Sequence, residues 1–202
     1  NGFKPPSLYQ MDNWKSMSNI KPEYSMSSEL SFSLKPYRIS IFNLKTKNHI
    51  EYSWPDGYSN STRKSEINGF EVNFKNYLKK NLKVMSSYIY LDTKQGKVRQ
   101  PRRARNELKN LIEYKLSDNL SGNFFSHFVG DRIGVGPSAP GTGDYWIFDT
   151  SITKNLGRNL KLSFKVDNIL DSTYQEVVNS SNTGYSTPGR SAFLIFEWFS
   201  IN

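Results

Sequence analysis

The chain has 202 residues, of which 36% are hydrophobic and 14% aromatic, and its formal net charge is +9. That aromatic content excludes a disordered tail, and the lack of any apolar run of about 18 residues excludes a transmembrane helix. With no cysteine and only two histidines, His49 and His127, the chain has no disulfide or thiolate metal site and little basis for a histidine-based centre. We therefore expect no cofactor. The chain starts at Asn1 with neither a Met nor an apolar leader, which indicates a removed signal or a piece of something longer.

Apolar and polar residues alternate along much of the chain, most clearly in its second half. Four apolar residues occupy every second position from Leu160 to Val166, and polar residues lie between them. A pleated strand places such residues on opposite faces, whereas a helix would spread them around its axis. Together with the turn signals, this pattern predicts about nine strands, near residues 28–34, 37–53, 62–78, 82–92, 103–117, 120–132, 144–155, 159–170 and 190–200.

The predicted connections between these strands alternate strictly between short and long. The short turns lie near residues 35–36, 79–81, 117–119 and 156–158, and the long connections near 54–61, 93–102, 133–143 and 171–189. Short turns on one side and long loops on the other are typical of outer-membrane β-barrels. The barrel also explains the aromatic residues expected near strand ends, where an interfacial girdle forms: Tyr77, Tyr88, Tyr90, Tyr114, Tyr145, Trp146 and Trp198.

The predicted fold is all-β: an antiparallel up-and-down meander of about nine strands that forms a partial, open transmembrane β-barrel. With nine strands the first and last would run in the same direction, and bacterial barrels do not close on such a parallel seam. Residues 1–9 could add the stub of a tenth strand, which Pro5 and Pro6 would weaken. Alternation alone also fits a soluble β-sandwich, whose polar face meets water.

The barrel interpretation assigns each strand face. The residues expected to face lipid are Val72, Phe74, Leu108, Ile112, Leu160, Leu162, Phe164 and Val166. The residues expected to face the lumen are Lys109, Glu113, Lys161 and Lys165.

No catalytic motif is present, and we expect no enzyme activity. The glycine-rich stretch 134–143 is not followed by Gly-Lys-Ser/Thr, so it does not resemble a phosphate-binding loop. Glu107 and Glu113 share a strand face but are about 20 Å apart at the rise of a β-strand, too far for a catalytic carboxylate pair.

Several short motifs, in the right order, resemble the C-terminal half of the barrel domain of TonB-dependent outer-membrane receptors. Gly2-Phe-Lys-Pro-Pro-Ser-Leu8 resembles a Phe-Lys-Ala-Pro segment, and Asn19-Ile-Lys-Pro-Glu23 with Glu29 resembles a Leu-x-Pro-Glu…Glu-x-Gly pattern that here lacks its Gly. Ile67-Asn-Gly-Phe-Glu71 is similar to Ile-x-Gly-Val-Glu. Val166-Asp-Asn-Ile-Leu-Asp171 with Tyr174 and Pro188-Gly-Arg190 is similar to the family's ending. In that ending we expect Asn168 and Asp171 to close a strand through side-chain-to-backbone bonds, and Gly189 to free the backbone.

The resemblance implies a position within a larger protein, a cellular location and a function. It implies that residues 1–202 are the C-terminal part of a transmembrane β-barrel domain in the bacterial outer membrane, without the family's plug domain. The expected function is capture of a scarce small-molecule ligand, such as a ferric siderophore or cobalamin, and its import with energy from the inner-membrane TonB complex. The expected partners are outer-membrane lipid, lipopolysaccharide, that ligand and, through the missing N-terminal region, the TonB complex. A passive porin-like barrel and a soluble carbohydrate-binding sandwich are the alternatives.

Residues 94–105 form the one dense basic cluster in the sequence. The remaining charge is spread along the strands, so we expect no nucleic-acid partner. The cluster falls in a predicted extracellular loop, where its cations could contact lipopolysaccharide phosphates or an anionic ligand; it could equally be a solvated basic loop. The candidate contact residues are Lys94, Lys97, Arg99, Arg102 and Arg103.

Overall fold

The computed structural model describes residues 1–12, 19–134, 141–178, 184–185 and 187–200. Its elements are β1 (Gly2–Lys4), α1 (Leu8–Asp12), β2 (Glu23–Leu34), β3 (Tyr37–Lys47), β4 (Ile50–Ser53), β5 (Gly57–Asn60), β6 (Ser65–Lys79), β7 (Leu82–Gln95), β8 (Val98–Arg99), β9 (Ala104–Ser117), β10 (Leu120–Arg132), β11 (Tyr145–Leu156), β12 (Leu160–Asp167) and β13 (Ser191–Trp198). No helix among the described residues is long and apolar enough to cross a membrane.

The main sheet confirms the predicted all-β meander. Its strand order is β1-β2-β3-β6-β7-β9-β10-β11-β12-β13, β8 pairs with β7, and β4 and β5 form a separate two-stranded sheet. β1 and β13 are the two ends of this order, so the sheet is not closed and is a partial barrel. Two-residue turns join β2 to β3, β6 to β7 and β9 to β10, and three residues join β11 to β12. The alternation of short turns and long connections is therefore confirmed.

The structure corrects several strand boundaries, among them the start of the predicted strand 28–34, which lies at Glu23. Residues 2–4 pair with β2 and add a tenth strand to the main sheet, so the parallel-seam argument, which assumed nine, does not hold. The predicted strand 37–53 is broken at Asn48, whose φ of 57° is incompatible with an extended backbone. The predicted strand 62–78 starts at Ser65, and residues 57–60 belong to the separate β4–β5 hairpin. Two of the expected girdle residues, Tyr88 and Tyr90, lie inside a strand because β7 runs on to Gln95.

The chain divides into two compact units. One comprises Asn1–Ser31, Ser40–Phe70 and Leu91–Gln100; the other comprises Phe32–Ile39, Glu71–Tyr90 and Pro101–Asn202. In the first unit, Ile50 of the β4–β5 hairpin is a buried apolar residue. The second unit contains the turn-proximal ends of β2, β3, β6 and β7 together with β9 to β13.

In the second unit, strand pairing separates an apolar face from a charged face. On the apolar face Leu108 is opposite Phe128, and Phe128 is opposite Trp146. Lys161 and Glu197 are directly opposite each other on the charged face. The last strand, β13, is apolar at nearly every position, so its sequence does not show which residues share a face. The register shows that Leu194 is opposite Phe164 and lies on the same face.

Among the described residues of the second unit, no second layer of protein covers this apolar face. Large apolar side chains on this face remain well exposed, including Ile152 at 51%, Leu194 at 60% and Phe196 at 65%. A β-sandwich would bury this face against a second sheet. The described residues instead form one long sheet and a two-stranded hairpin, which argues against the sandwich alternative.

Candidate functional site

Three of the five candidate basic residues lie in one hairpin of the first unit. Lys94 near the end of β7 is the pairing partner of Arg99 in β8, and Lys97 lies in the turn between the two strands. Lys94 Nζ is also 2.6 Å from Asp92 Oδ2. We call Lys94, Lys97 and Arg99 the basic hairpin.

The basic hairpin is bonded to its surroundings through the Gln95 side chain and the Gly96 amide. Gln95 Nε2 donates to Glu51 Oε2 at 3.1 Å and to Ser61 Oγ at 3.2 Å. The Gly96 amide donates to the Lys64 carbonyl at 2.9 Å. Gly96 has a φ of 64°, a conformation that a residue with a Cβ adopts only with strain. These hydrogen bonds restrain the backbone of the hairpin.

Glu51 supplies negative charge beside the basic hairpin. Partial burial raises the pKa of the Glu51 carboxyl, but hydrogen bonds from Ser61 and Gln95 and the charge of Arg63 more than offset this, so the pKa lies below its ordinary value. Arg63 Nη2 is 3.8 Å from Glu51 Oε1. Glu51 therefore stays ionised at neutral pH and holds Gln95 in place.

The other two candidates, Arg102 and Arg103, belong to the second unit. The Arg102 amide donates to the Ile133 carbonyl at 2.9 Å, and Arg102 has a φ of 62°. Nearby along the chain, Arg105 Nη1 forms an ion pair with Asp131 Oδ2 at 2.9 Å. Residues 135–140 of the predicted glycine-rich loop lie outside the described residues.

The charged face of the second unit carries a series of short ion pairs. Glu107 Oε1 accepts from Lys109 Nζ at 2.7 Å and lies 2.7 Å from His127 Nε2. Lys83 Nζ lies 2.7 Å from Glu113 Oε2. His127, which the sequence analysis placed in no functional centre, thus contacts Glu107. The strand alternation that places Glu107 and Lys109 on one face was a signal for this cluster. Among the described residues, no group of three or more acidic, histidine or cysteine side chains could hold a metal ion.

The residues of the C-terminal motif form a hydrogen-bonded turn at the end of β12. Asn168 is buried, its Oδ1 accepts from the Ser172 amide at 2.9 Å, and its Nδ2 donates to the Ser172 carbonyl at 3.0 Å. Asp171 Oδ1 accepts from the Arg190 amide at 2.8 Å. This confirms the expected strand-closing chemistry. Gly189 was expected to provide backbone freedom, but its φ is not in the left-handed region. A glycine is favoured here because a Cβ at this position would lie only 3.0 Å from Asp171 Oδ1.

The Pro-Glu motif of the first unit has a structural role that the sequence analysis did not find. Glu23 is nearly buried, and its Oε1 accepts from the Ile50 amide at 2.8 Å. His49 Nδ1 lies 3.1 Å from the same oxygen, and Lys4 Nζ lies 3.8 Å from Oε2. A single carboxylate thus links the starts of β2 and β4 to β1.

The structure also collects basic residues that are scattered in the sequence. Exposed cations line the short-turn edge of the second unit, and five of them lie in or next to three of its four turns without an ion-pair partner among the described residues. We call them the basic rim: Lys35, Lys79, Lys80, Lys154 and Arg158. By comparison, the four short turns contain one acidic residue, Asp118. On the charged face near this edge, a cavity of about 420 Å³ is lined in part by Lys80, Lys83 and Lys115.

An open antiparallel sheet with one exposed apolar face, one charged face and alternating short and long connections defines a segment of a membrane β-barrel. The chain belongs to the family of TonB dependent receptor-like β-barrels, whose model matches residues 1–169. Members of this family are receptors and transporters of the bacterial outer membrane, not enzymes.

Solved structures share this fold over nearly the whole chain. The ferric-catecholate import receptor Fiu from E. coli K12 matches with a TM-score of 0.72 and 20% identity, over 96% of this chain and 29% of that one. The copper transporter OprC matches with a TM-score of 0.79 and 19% identity, over 97% and 36%. The ferripyoverdine receptor of Pseudomonas aeruginosa matches with a TM-score of 0.75 and 16% identity, over 97% and 29%. The chain thus spans about a third of the length of these structures.

Proposed function

We propose that this chain is the C-terminal barrel segment of a TonB-dependent receptor that imports a scarce ligand across the bacterial outer membrane. The observation that carries the proposal is the match of the family model over residues 1–169. The siderophore receptors among the similar structures favour an iron complex, with cobalamin or a comparable ligand as the alternative. The energy would come from the inner-membrane TonB complex through a part of the protein outside this chain.

Uptake by cells tests this proposal directly. Cells that make the intact protein should accumulate at least one radiolabelled ferric siderophore or cobalamin, and cells that lack it should not. Accumulation should also stop when TonB is deleted, because import against a gradient requires energy. Uptake that continues without TonB would contradict the proposal and favour a passive porin-like barrel.

We propose further that the candidate cations at the long-connection side contact anionic groups, either on the ligand or on lipopolysaccharide phosphate. The basic hairpin supports this, since its turn holds Lys97 exposed to solvent while Gln95 and Gly96 fix the backbone. Arg102 and Arg103, in the other unit, are included on their exposure alone. Cations at fixed positions bind anions with a smaller loss of side-chain freedom than cations on a mobile loop.

Charge removal at the basic hairpin tests the contact. The K94Q/K97Q/R99Q variant of the intact protein should bind an anionic ferric siderophore about tenfold more weakly at low salt, if each exposed contact contributes somewhat under 1 kcal/mol. The matched control, K35Q/K79Q/K80Q, removes the same charge from the short-turn edge and should bind normally. Equal weakening in both variants would indicate a general charge effect and would contradict a site at the hairpin.

A further inference from the structure

The short-turn edge of the second unit concentrates positive charge that the structure does not neutralise. Among the described residues, none of the five basic-rim cations has an ion-pair partner, whereas the neighbouring Lys83 and Lys161 are paired with Glu113 and Glu197. On the long-connection side, Lys94 and Arg105 are likewise paired, each with an aspartate. Exposed, unpaired cations gathered on one edge provide an anion-binding surface.

The apolar face ends at the same edge. Leu34, Leu78, Leu116 and Trp198, which are each at least half exposed, lie next to the short turns or at the strand end beside them. Exposed apolar side chains bordered by cations match the boundary between the hydrocarbon and the headgroups of a bilayer.

Lys154 is a cation within the apolar face itself. It lies on the apolar face, where its pairing partners are Leu120 and Leu162. Its neighbours on the same strand face, Ile152 and Leu156, are both more than 40% exposed. A lysine in an apolar surface extends its ammonium group toward the polar boundary, because the charge is poorly solvated by hydrocarbon.

We propose that the basic rim binds the phosphate headgroups of anionic phospholipids in the leaflet on the short-turn side. Lys154 and Arg158 are the rim cations of the β11–β12 turn; they are four residues apart and both are exposed. A soluble acidic protein could bind to the cations in the turns alone. Lys154 lies within the apolar face, which favours a lipid as the partner, because the acyl chains of a lipid lie beside that face. This inference rests on the membrane placement proposed above.

Site-specific quenching tests the inference in the intact protein. A bimane label at L156C, in a cysteine-free background, lies on the same strand face as Lys154, and a label at W146C lies ten residues away, about 33 Å along the strand. Each labelled protein is reconstituted in phosphatidylcholine bilayers and titrated with brominated phosphatidylglycerol or brominated phosphatidylcholine. At position 156 the anionic lipid should bind about fivefold more tightly, the effect of one cation near a bilayer surface. At position 146 the two lipids should quench alike.

Two charge-removal variants locate the effect. K154Q/R158Q should reduce the preference at position 156 to less than about twofold, and 1 M salt should reduce it in the unsubstituted protein, because exposed charges are screened. The matched K47Q/K64Q variant removes the same charge from exposed lysines at the long-connection ends of β3 and β6 and should keep the preference. If K154Q/R158Q does not fold, the single K154Q variant should still lower the preference.

The possible failures are distinguishable. Quenching at position 156 without a lipid preference, or a preference that survives K154Q/R158Q, would overturn the basic-rim inference and leave the proposed transport function untouched. No quenching at either position would overturn the membrane placement itself.

Discussion

At the residue scale, a few polar side chains determine where strands end. Asn48, Asn168 and Asp171 all have φ values of 50–57°, and Asn and Asp tolerate this left-handed conformation better than other residues with a Cβ. Asn168 adds two hydrogen bonds to Ser172 from a buried position. Asn168 and Asp171 therefore act as strand terminators, which gives the motif a structural reason.

The Asn168→Ala substitution should destabilise the intact protein by about 2–4 kcal/mol, because it removes two buried hydrogen bonds and strains the left-handed backbone. The midpoint of urea unfolding in detergent measures this. Asn168→Gly, which loses the same hydrogen bonds but relieves the strain, should cost less. If Gly is as costly as Ala, backbone conformation contributes nothing at this position.

At the element scale, strands such as β9 and β12 have a mainly apolar face and a charged face, and ion pairs link the charged side chains within and between strands. In β12, Phe164 is half exposed on the apolar face, while Lys165 pairs with Asp167 at 2.9 Å on the other. Because no protein layer covers these apolar side chains among the described residues of the second unit, we expect lipid to cover them in the intact barrel. Successive side chains of a strand point to opposite faces, so the position of a residue along its strand determines whether it lies on the apolar or the charged face.

Phe164→Arg should cost about 2–4 kcal/mol in a lipid bilayer, the range for a cation near the midplane of a barrel's lipid face. Lys165→Arg at the adjacent position should change stability by less than about 0.5 kcal/mol, because that side faces the lumen. Unfolding in vesicles measures both. Spin labels at Leu162 and Lys161 give an independent reading, since only the first should be accessible to a lipid-soluble quencher; equal accessibility would contradict the assigned faces.

At the scale of the whole molecule, the order of connections predicts which parts meet the outside of the cell. The short turns of family barrels are periplasmic and the long loops extracellular. In this chain the basic hairpin lies in a long connection, and Lys80, Asn119 and Arg158 lie in short turns.

Surface labelling of whole cells should therefore distinguish the two sides. A membrane-impermeant maleimide should react with a cysteine at Lys97, chosen over Gly96 because the φ of Gly96 disfavours any side chain. It should not react with cysteines at Lys80, Asn119 or Arg158 until the cells are permeabilised. Labelling of the turn positions in intact cells would reverse the assigned orientation.

The sequence by itself determined the strands from Leu82 to Asp167, the separation of apolar and charged faces and the alternation of connections. These features depend on residues two apart or on local turn chemistry, and both can be read along the chain. The family motifs belong to the same class, since Asn168 and Asp171 act on backbone only a few residues away or across one strand pair.

Only the tertiary structure decided how distant residues combine. It paired Gly2–Lys4 with β2 despite the two prolines that follow, and it placed Glu23 against the amide of Ile50. It also gathered the basic rim from turns more than a hundred residues apart, where the sequence showed only one cluster, at residues 94–105. The physical reason is that a meander folds every second connection to the same edge, so the charge of an edge is summed over residues far apart in the chain and no local pattern reveals it.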